Sequence, residues 1–197
     1  MLALAHFGDD THISSLDPPD ATLQAEKCAQ FYPVARDLML AKHPATFNTK
    51  TEKLTALNHV VDGFDYCYAA PSGMLTPLSL WVEGSAPLAD KPENAVFRVE
   101  VGPLGQEVIL TNLPSAVLRY SFKITDTAKF SPLFVEALSW LLASMIAGPI
   151  VKGDAGGKIS LECYRAFLSR VSETETDDAN KSRPYIDPVA PWLEVRA

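Results

Sequence analysis

From Thr125 to Gly148 the chain reads TDTAKFSPLFVEALSWLLASMIAG, and this stretch dominates its hydrophobic pattern. It opens polar and then turns apolar on nearly every side of the helix it predicts. Ser131-Pro132 is a start signal, because Ser caps free N–H groups and Pro at the first helical position forfeits nothing. Glu136 is the single charge between Leu133 and Ile150, and it falls in the first turns, where the helix dipole favours an acid. Gly148-Pro149 predicts the stop. A helix that is apolar all round needs burial on all sides. It is expected at the centre of a helical bundle, or shared with a neighbouring subunit. A membrane span is the competing reading. As a helix, Leu133–Gly148 reaches only about 24 Å at 1.5 Å per residue, short of a hydrocarbon core of about 30 Å.

Upstream, residues 1–7 predict a helix stub and Gly8–Asp20 a loop rich in turn residues. A helix is then predicted from about Asp20 to Lys42, with Ala25, Cys28, Phe31, Ala35 and Leu38 on one apolar face. Pro33 removes a hydrogen bond inside it, which predicts a kink or two shorter helices. The period changes to two in the middle of the chain. Phe64, Tyr66 and Tyr68 alternate with polar or small residues, as do Phe97, Val99 and Val101, and Leu118, Tyr120, Phe122 and Ile124. That is the pattern of half-buried strands, here punctuated by Pro and Gly. Lys152–Gly157 predicts a turn. A last helix to about Asp178 carries the stripe Leu161, Tyr164, Leu168 and Val171. Residues 181–197, KSRPYIDPVAPWLEVRA, hold three prolines and predict an extended tail.

These elements predict an α+β fold. An α-helical bundle domain takes residues 1–59 and 125–180, a small antiparallel β subdomain is inserted at 60–124, and an extended C-terminal arm covers 181–197. The tail carries Tyr185, Ile186, Trp192 and Leu193, large apolar groups that favour burial against the same domain or another chain.

Composition narrows the function. A net charge of −7 is the opposite of what phosphate neutralisation on nucleic acid requires. Cys28, Cys67 and Cys163 are odd in number and widely separated, which suits neither a disulfide framework nor a zinc site and points to a reducing compartment. The start, MLALAHFGDD, lacks the basic region of a signal peptide.

Candidate chemistry is sparse. GDAGGKIS at 153–160 misses the phosphate-loop pattern: Lys152 stands where the first Gly is needed and Ile159 where Ser or Thr is. His6, His12, His43 and His59 lack metal-ligand spacing and read as loop or surface residues. Asp9-Asp10, Glu173, Glu175 and Asp177-Asp178 lie in polar settings and read as solvated surface. Glu136 is the one carboxylate in an apolar segment, and its helix-start position accounts for it. Tyr66, Tyr68, Trp81 and Trp140 read as core. No catalytic, cofactor-binding or metal-binding residue is expected.

The order of elements carries a resemblance. The segments LALAHFGDDTHISSLDPPD, FYPVARDLMLAKHPATF, FDYCYAAPSGMLTPLSLW, VLRYSFKITDTAKFSPLFVEALSWLLASMIAGPI and PWLEVRA, in that order and spacing, resemble the head–tail adaptors of short-tailed bacteriophages, the tail tubular protein A family. The resemblance implies a structural virion protein, not an enzyme. It implies a ring, usually of twelve copies, that joins the portal protein to the tail nozzle and extends the DNA channel. DNA would pass through the lumen without specific binding, and no membrane is involved. The protein would belong to the phage neck after assembly in the bacterial cytoplasm. An acidic balance suits a channel through which DNA must slide. Tyr185, Ile186, Trp192, Leu193 and Arg196 are the expected contacts to the portal or a neighbouring subunit. One departure is the start: family members carry a few more residues ahead of the segment matching Leu2–Gly8, so the first helix is expected to be short or to begin upstream. The rival expectations are a small α+β hydrolase using Glu136 or an acidic pair, and a monomeric ligand-binding module with a pocket of Tyr66, Tyr68 and Trp81.

Overall fold

The computed structural model describes residues 2–59, 61, 63–85 and 96–181, the last two by backbone only. Helices α1 (Leu2–Ala5) and α2 (Leu23–Lys42) come first. Strands β1 (Thr49–Lys53), β2 (Ala56–Leu57), β3 (Tyr66–Ala69), β4 (Met74–Val82), β5 (Phe97–Val101), β6 (Glu107–Thr111) and β7 (Ala116–Phe122) follow, and helices α3 (Pro132–Val151) and α4 (Gly153–Lys181) close the described chain. The α+β class is as expected.

Ser131 caps α3 by accepting from the Phe134 N–H at 3.3 Å, and Pro132 occupies the first turn. Phe134, Ala137, Leu138, Leu141, Leu142, Ala143, Ile146 and Ala147 are buried, packed among α1, α2 and α4. Met145 is only half-buried. The expected stop at Gly148-Pro149 does not occur. The helix continues to Val151, because Pro149 forfeits one N–H while the Lys152 N–H still closes the last turn on Gly148 O at 3.0 Å. At 20 residues α3 is long and apolar enough to cross a membrane, so its length does not exclude a span; half of its apolar window is buried inside the chain's own fold.

The expected turn at 152–157 is also absent. The reversal is confined to Lys152 and Gly153, both with φ near 60°, and α4 starts at once. The glycines that resembled a turn serve helix packing. A Cβ on Gly156 would lie 3.2 Å from both the Cα and the carbonyl oxygen of Gly148 on α3. Two residues from the next turns repeat the contact, with the Ser160 hydroxyl donating to Ser144 O. This close approach rotates α4. Cys163, Phe167, Val171 and Thr174 face the core, while Leu161, Tyr164 and Leu168 of the expected stripe face outward.

Helix α2 runs through Pro33 as one element, capped by Thr22. Pro33 lies on the exposed side, where water can serve the carbonyl it leaves free. The buried positions are Ala25, Cys28, Ala35, Arg36, Met39 and Leu40. Leu38, placed on the core face by spacing, is exposed.

The strands form two antiparallel sheets, ordered β1-β7-β4 and β2-β3-β6-β5. Leu80, Ala116, Leu118 and Tyr120 of the first pack against Tyr68 and Ile109 of the second. The outer face of the second sheet buries Cys67, Val108 and Leu110 under Leu57, Val61 and Phe64. Both faces of β3 and β6 are therefore apolar. Strands begin at Thr49, ahead of the expected boundary at 60. The sequence TKTEK of β1 has no apolar alternation, and the strand is almost wholly exposed on the edge of its sheet. The first sheet is joined to the helices: Leu75 and Phe122 pack on the helical core, Thr76 Oγ1 donates to Ala41 O at 2.8 Å, and Lys123 pairs with Asp37 at 2.6 Å.

The α3–α4 contact yields a paired test. Gly156→Leu should lower stability by about 1–3 kcal/mol by overpacking. Gly157→Ala, one residue on with nothing within 4 Å of its Cβ position, should raise it by up to about 1 kcal/mol through helix propensity. Urea titration of both variants reads the difference. Equal effects would place the helices further apart than described.

Candidate functional site

The stub α1 is held on α3 by more than its length supplies. Ala3 and Leu4 are buried, and the His6 ring stacks on Trp140 at 3.5 Å and 11°. His6 Nε2 lies 2.7 Å from Ser139 Oγ, and the Ser139 hydroxyl donates to Glu136 O at 2.7 Å. With that hydrogen committed, Nε2 is the protonated nitrogen and donates to Ser139. Beyond α1, Asp9 accepts from the Thr11 N–H at 2.9 Å and from Gln24 at 3.0 Å. A hydrogen bond from the Thr11 side chain is the main reason its carboxyl titrates below the usual range, with the Gln24 and Thr11 N–H bonds adding to it against the opposing effect of burial.

This arrangement leaves a groove of about 310 Å³ between α1, the loop after it, α2 and the start of α3. Its walls include Leu2, Leu16, Tyr32, Phe130, Val135 and Leu138, and among the described residues no charged side chain lines it. Three of these aliphatics are left open to solvent: Leu2 is 54% exposed, Leu16 39% and Val135 36%. The residues come from four separate segments, so no spacing in the sequence announces them.

Ser139 and His6 stand at the distance of a nucleophile and its base. The surroundings do not complete a catalytic site. Ser139 lies mid-helix, where the neighbouring N–H groups are engaged in the helix ladder and are not free to hold an oxyanion. The pair is a clasp for α1. Glu136, the carboxylate of the hydrolase reading, is 42% exposed and pairs with Arg170 Nε of α4 at 3.0 Å; it ties two helices together at the surface. Among the described residues no group of three or more His, Cys, Asp or Glu is placed to hold a metal.

The other candidates fall as follows. His6 lies in the turn that follows α1, a loop position as expected, but it is half-buried, because Trp140 covers it. His43 Nδ1 meets Glu175 at 2.7 Å, and Asp178 accepts from the N–H and hydroxyl of Thr46 at 2.7 and 2.9 Å. The acidic end of α4 thus anchors that helix to the segment after α2. Tyr68 is core, its hydroxyl donating to Leu113 O at 2.8 Å, whereas Tyr66 is exposed. A pocket of Tyr66, Tyr68 and Trp81 is therefore not formed by Tyr68, and the groove lies in the helical layer instead. Cys28, Cys67 and Cys163 are free and buried. Tyr185, Ile186, Trp192, Leu193 and Arg196 lie outside the described residues.

A second surface was misread from sequence. Leu161, Tyr164 and Leu168 are 51%, 44% and 49% exposed and form an uncovered apolar stripe along α4. The helix has apolar side chains on two adjoining faces. The signal that decides between them is the small-residue pairing of Gly156 and Ser160 with Gly148 and Ser144.

Compared with known proteins, the chain matches no family model and no curated sequence.

Burial holds the His6 imidazole below its ordinary value of 6.5, against the pull of nearby Glu136. Below 6.5 the unfolded chain then binds more protons than the folded one. The contribution of the clasp is complete above about pH 6.5 and is lost as pH falls through the lowered folded value. His6→Phe keeps the stack and removes the titration. The stability difference between the native protein and this variant, measured by urea titration, should shrink between about pH 7.5 and pH 5. A constant difference would mean the ring is not held neutral.

Proposed function

We propose that this chain is a subunit of a head–tail adaptor ring of a short-tailed bacteriophage, seated between portal protein and tail nozzle in the neck of the virion. The single observation that carries the reading is the apolar stripe of Leu161, Tyr164 and Leu168 on α4. Large apolar side chains aligned on one helix face of a folded chain mark a contact surface. A closed ring gives each copy a neighbour on that side. The order of elements in the resemblance supports the same reading, and so does the net charge of −7, which leaves DNA free to slide. The subunit number, twelve, comes from the resemblance. In this reading Tyr185, Ile186, Trp192, Leu193 and Arg196 form an arm that grips the portal or a neighbour, with the two aromatics as anchors. Prolines stiffen the arm and reduce the entropy lost on docking.

Native mass spectrometry and electron microscopy with purified portal test it. The full chain should form a ring on the portal. Leu161→Glu combined with Leu168→Glu should stay folded by circular dichroism yet fail to close the ring. Truncation after Ser182 should weaken portal binding at least tenfold. A chain that stays monomeric beside the portal, or a truncated chain that binds normally, overturns the respective part. DNA affinity at physiological salt should be negligible; tight binding with a steep salt slope would count neutralised phosphates and contradict a passive channel.

A further inference from the structure

The groove beside α1 is an apolar seat with open rims, and the described chain ends close to it. We propose that residues 184–193 of the same chain, PYIDPVAPWL, occupy this groove while no assembly partner is bound. This stands apart from the adaptor reading, since it concerns the isolated chain.

Reach is the first argument. Asp178, near the end of α4, is hydrogen-bonded to Thr46 at 2.7 Å. The next residue, Phe47, packs its ring 5.6 Å from that of Phe130, and Phe130 lines the groove. The helix end is therefore two contacts from the groove wall. From Lys181, the last residue of α4, four residues to Tyr185 span up to roughly 14 Å, and eleven to Trp192 up to roughly 38 Å. The same chain reaches without strain.

Chemistry is the second. Among the described residues no charged side chain lines the groove, and the segment carries one charge, Asp187, among apolar groups and three prolines. Proline-rich segments enter aromatic-lined grooves with little loss of entropy, because their backbone is already restricted. Tyr32 and Phe130 supply the aromatic walls. The volume, about 310 Å³, is at the small end for a ligand pocket. It suits one or two large side chains such as Trp192 and Leu193, not a helix. Leu2, Leu16 and Val135 would then be covered.

Hydrogen exchange read by mass spectrometry on the full chain decides it, with a synthetic peptide of residues 183–197 as the free reference. In the full chain, amides of Tyr185, Ile186, Trp192 and Leu193 should exchange at least tenfold more slowly than in the peptide, equally at low and high protein concentration. Leu16→Glu on the groove rim should restore the peptide rate, and so should Val135→Glu on α3. Exchange at the peptide rate in the native chain overturns the proposal. Protection that grows with concentration overturns it too, since a second copy is then the occupant. Protection that survives both rim substitutions places the segment elsewhere and does the same. No portal is present in this experiment, so its failure leaves the ring reading to its own test.

Discussion

The backbone-to-backbone approach of α3 and α4 at Gly148 and Gly156 is the constraint on which the helical layer depends. A Cβ at Gly156 would sit 3.2 Å from the Gly148 backbone, so the facing helix would have to give by a few tenths of an ångström to admit it. The contact fixes how far apart the two helices run and which face of α4 turns inward. It also explains why the connection is so short, since Lys152 and Gly153 reverse the chain with two left-handed residues. Cys163, Phe167 and Val171 can then close over α3. Leu161, Tyr164 and Leu168 are left outside by the same rotation. The interior of the bundle and its exposed stripe are thus two results of one contact.

The β layers rest on this bundle and do not stand apart from it. Phe122 belongs to both the helical core and the cluster between the sheets. Asp37 on α2 is held by Arg36 at 2.7 Å and by Lys123 at 2.6 Å, beside the end of β7. Burial tends to raise its carboxyl, and the bonds from Lys123 and Arg36 more than offset this, so it titrates below the usual range. A charge network of this kind at the junction sets the orientation of sheet against helix more than it adds stability.

Elements that announce themselves locally were legible in the sequence. Ser131-Pro132 marks the start of α3, and Leu118, Tyr120 and Phe122 mark β7, because capping and period-two burial are encoded within a few residues. Features set by distant partners were not. Strand β1 exists because β7 is there to pair with it, and TKTEK alone carries no strand pattern. The inward face of α4 depends on a glycine eight residues earlier in the chain, on another helix. Pro33 and Pro149 read as breaks, yet tertiary packing holds both helices through them. The groove draws its walls from four segments, so only folding brings Leu16 to Val135. The resemblance to phage adaptors lies in the order of elements, and no single residue in it carries chemistry.

The three cysteines are buried in two separate clusters: Cys28 on α2 and Cys163 on α4 in the helical core, and Cys67 beneath the outer cover of the second sheet. Burial raises the pKa of all three thiols, so each reacts only when its own layer opens. The chain therefore carries an internal set of clocks. Labelling rates, followed residue by residue, would time the opening of the helical core from two sides, at Cys28 and Cys163, against the loosening of the outer sheet at Cys67.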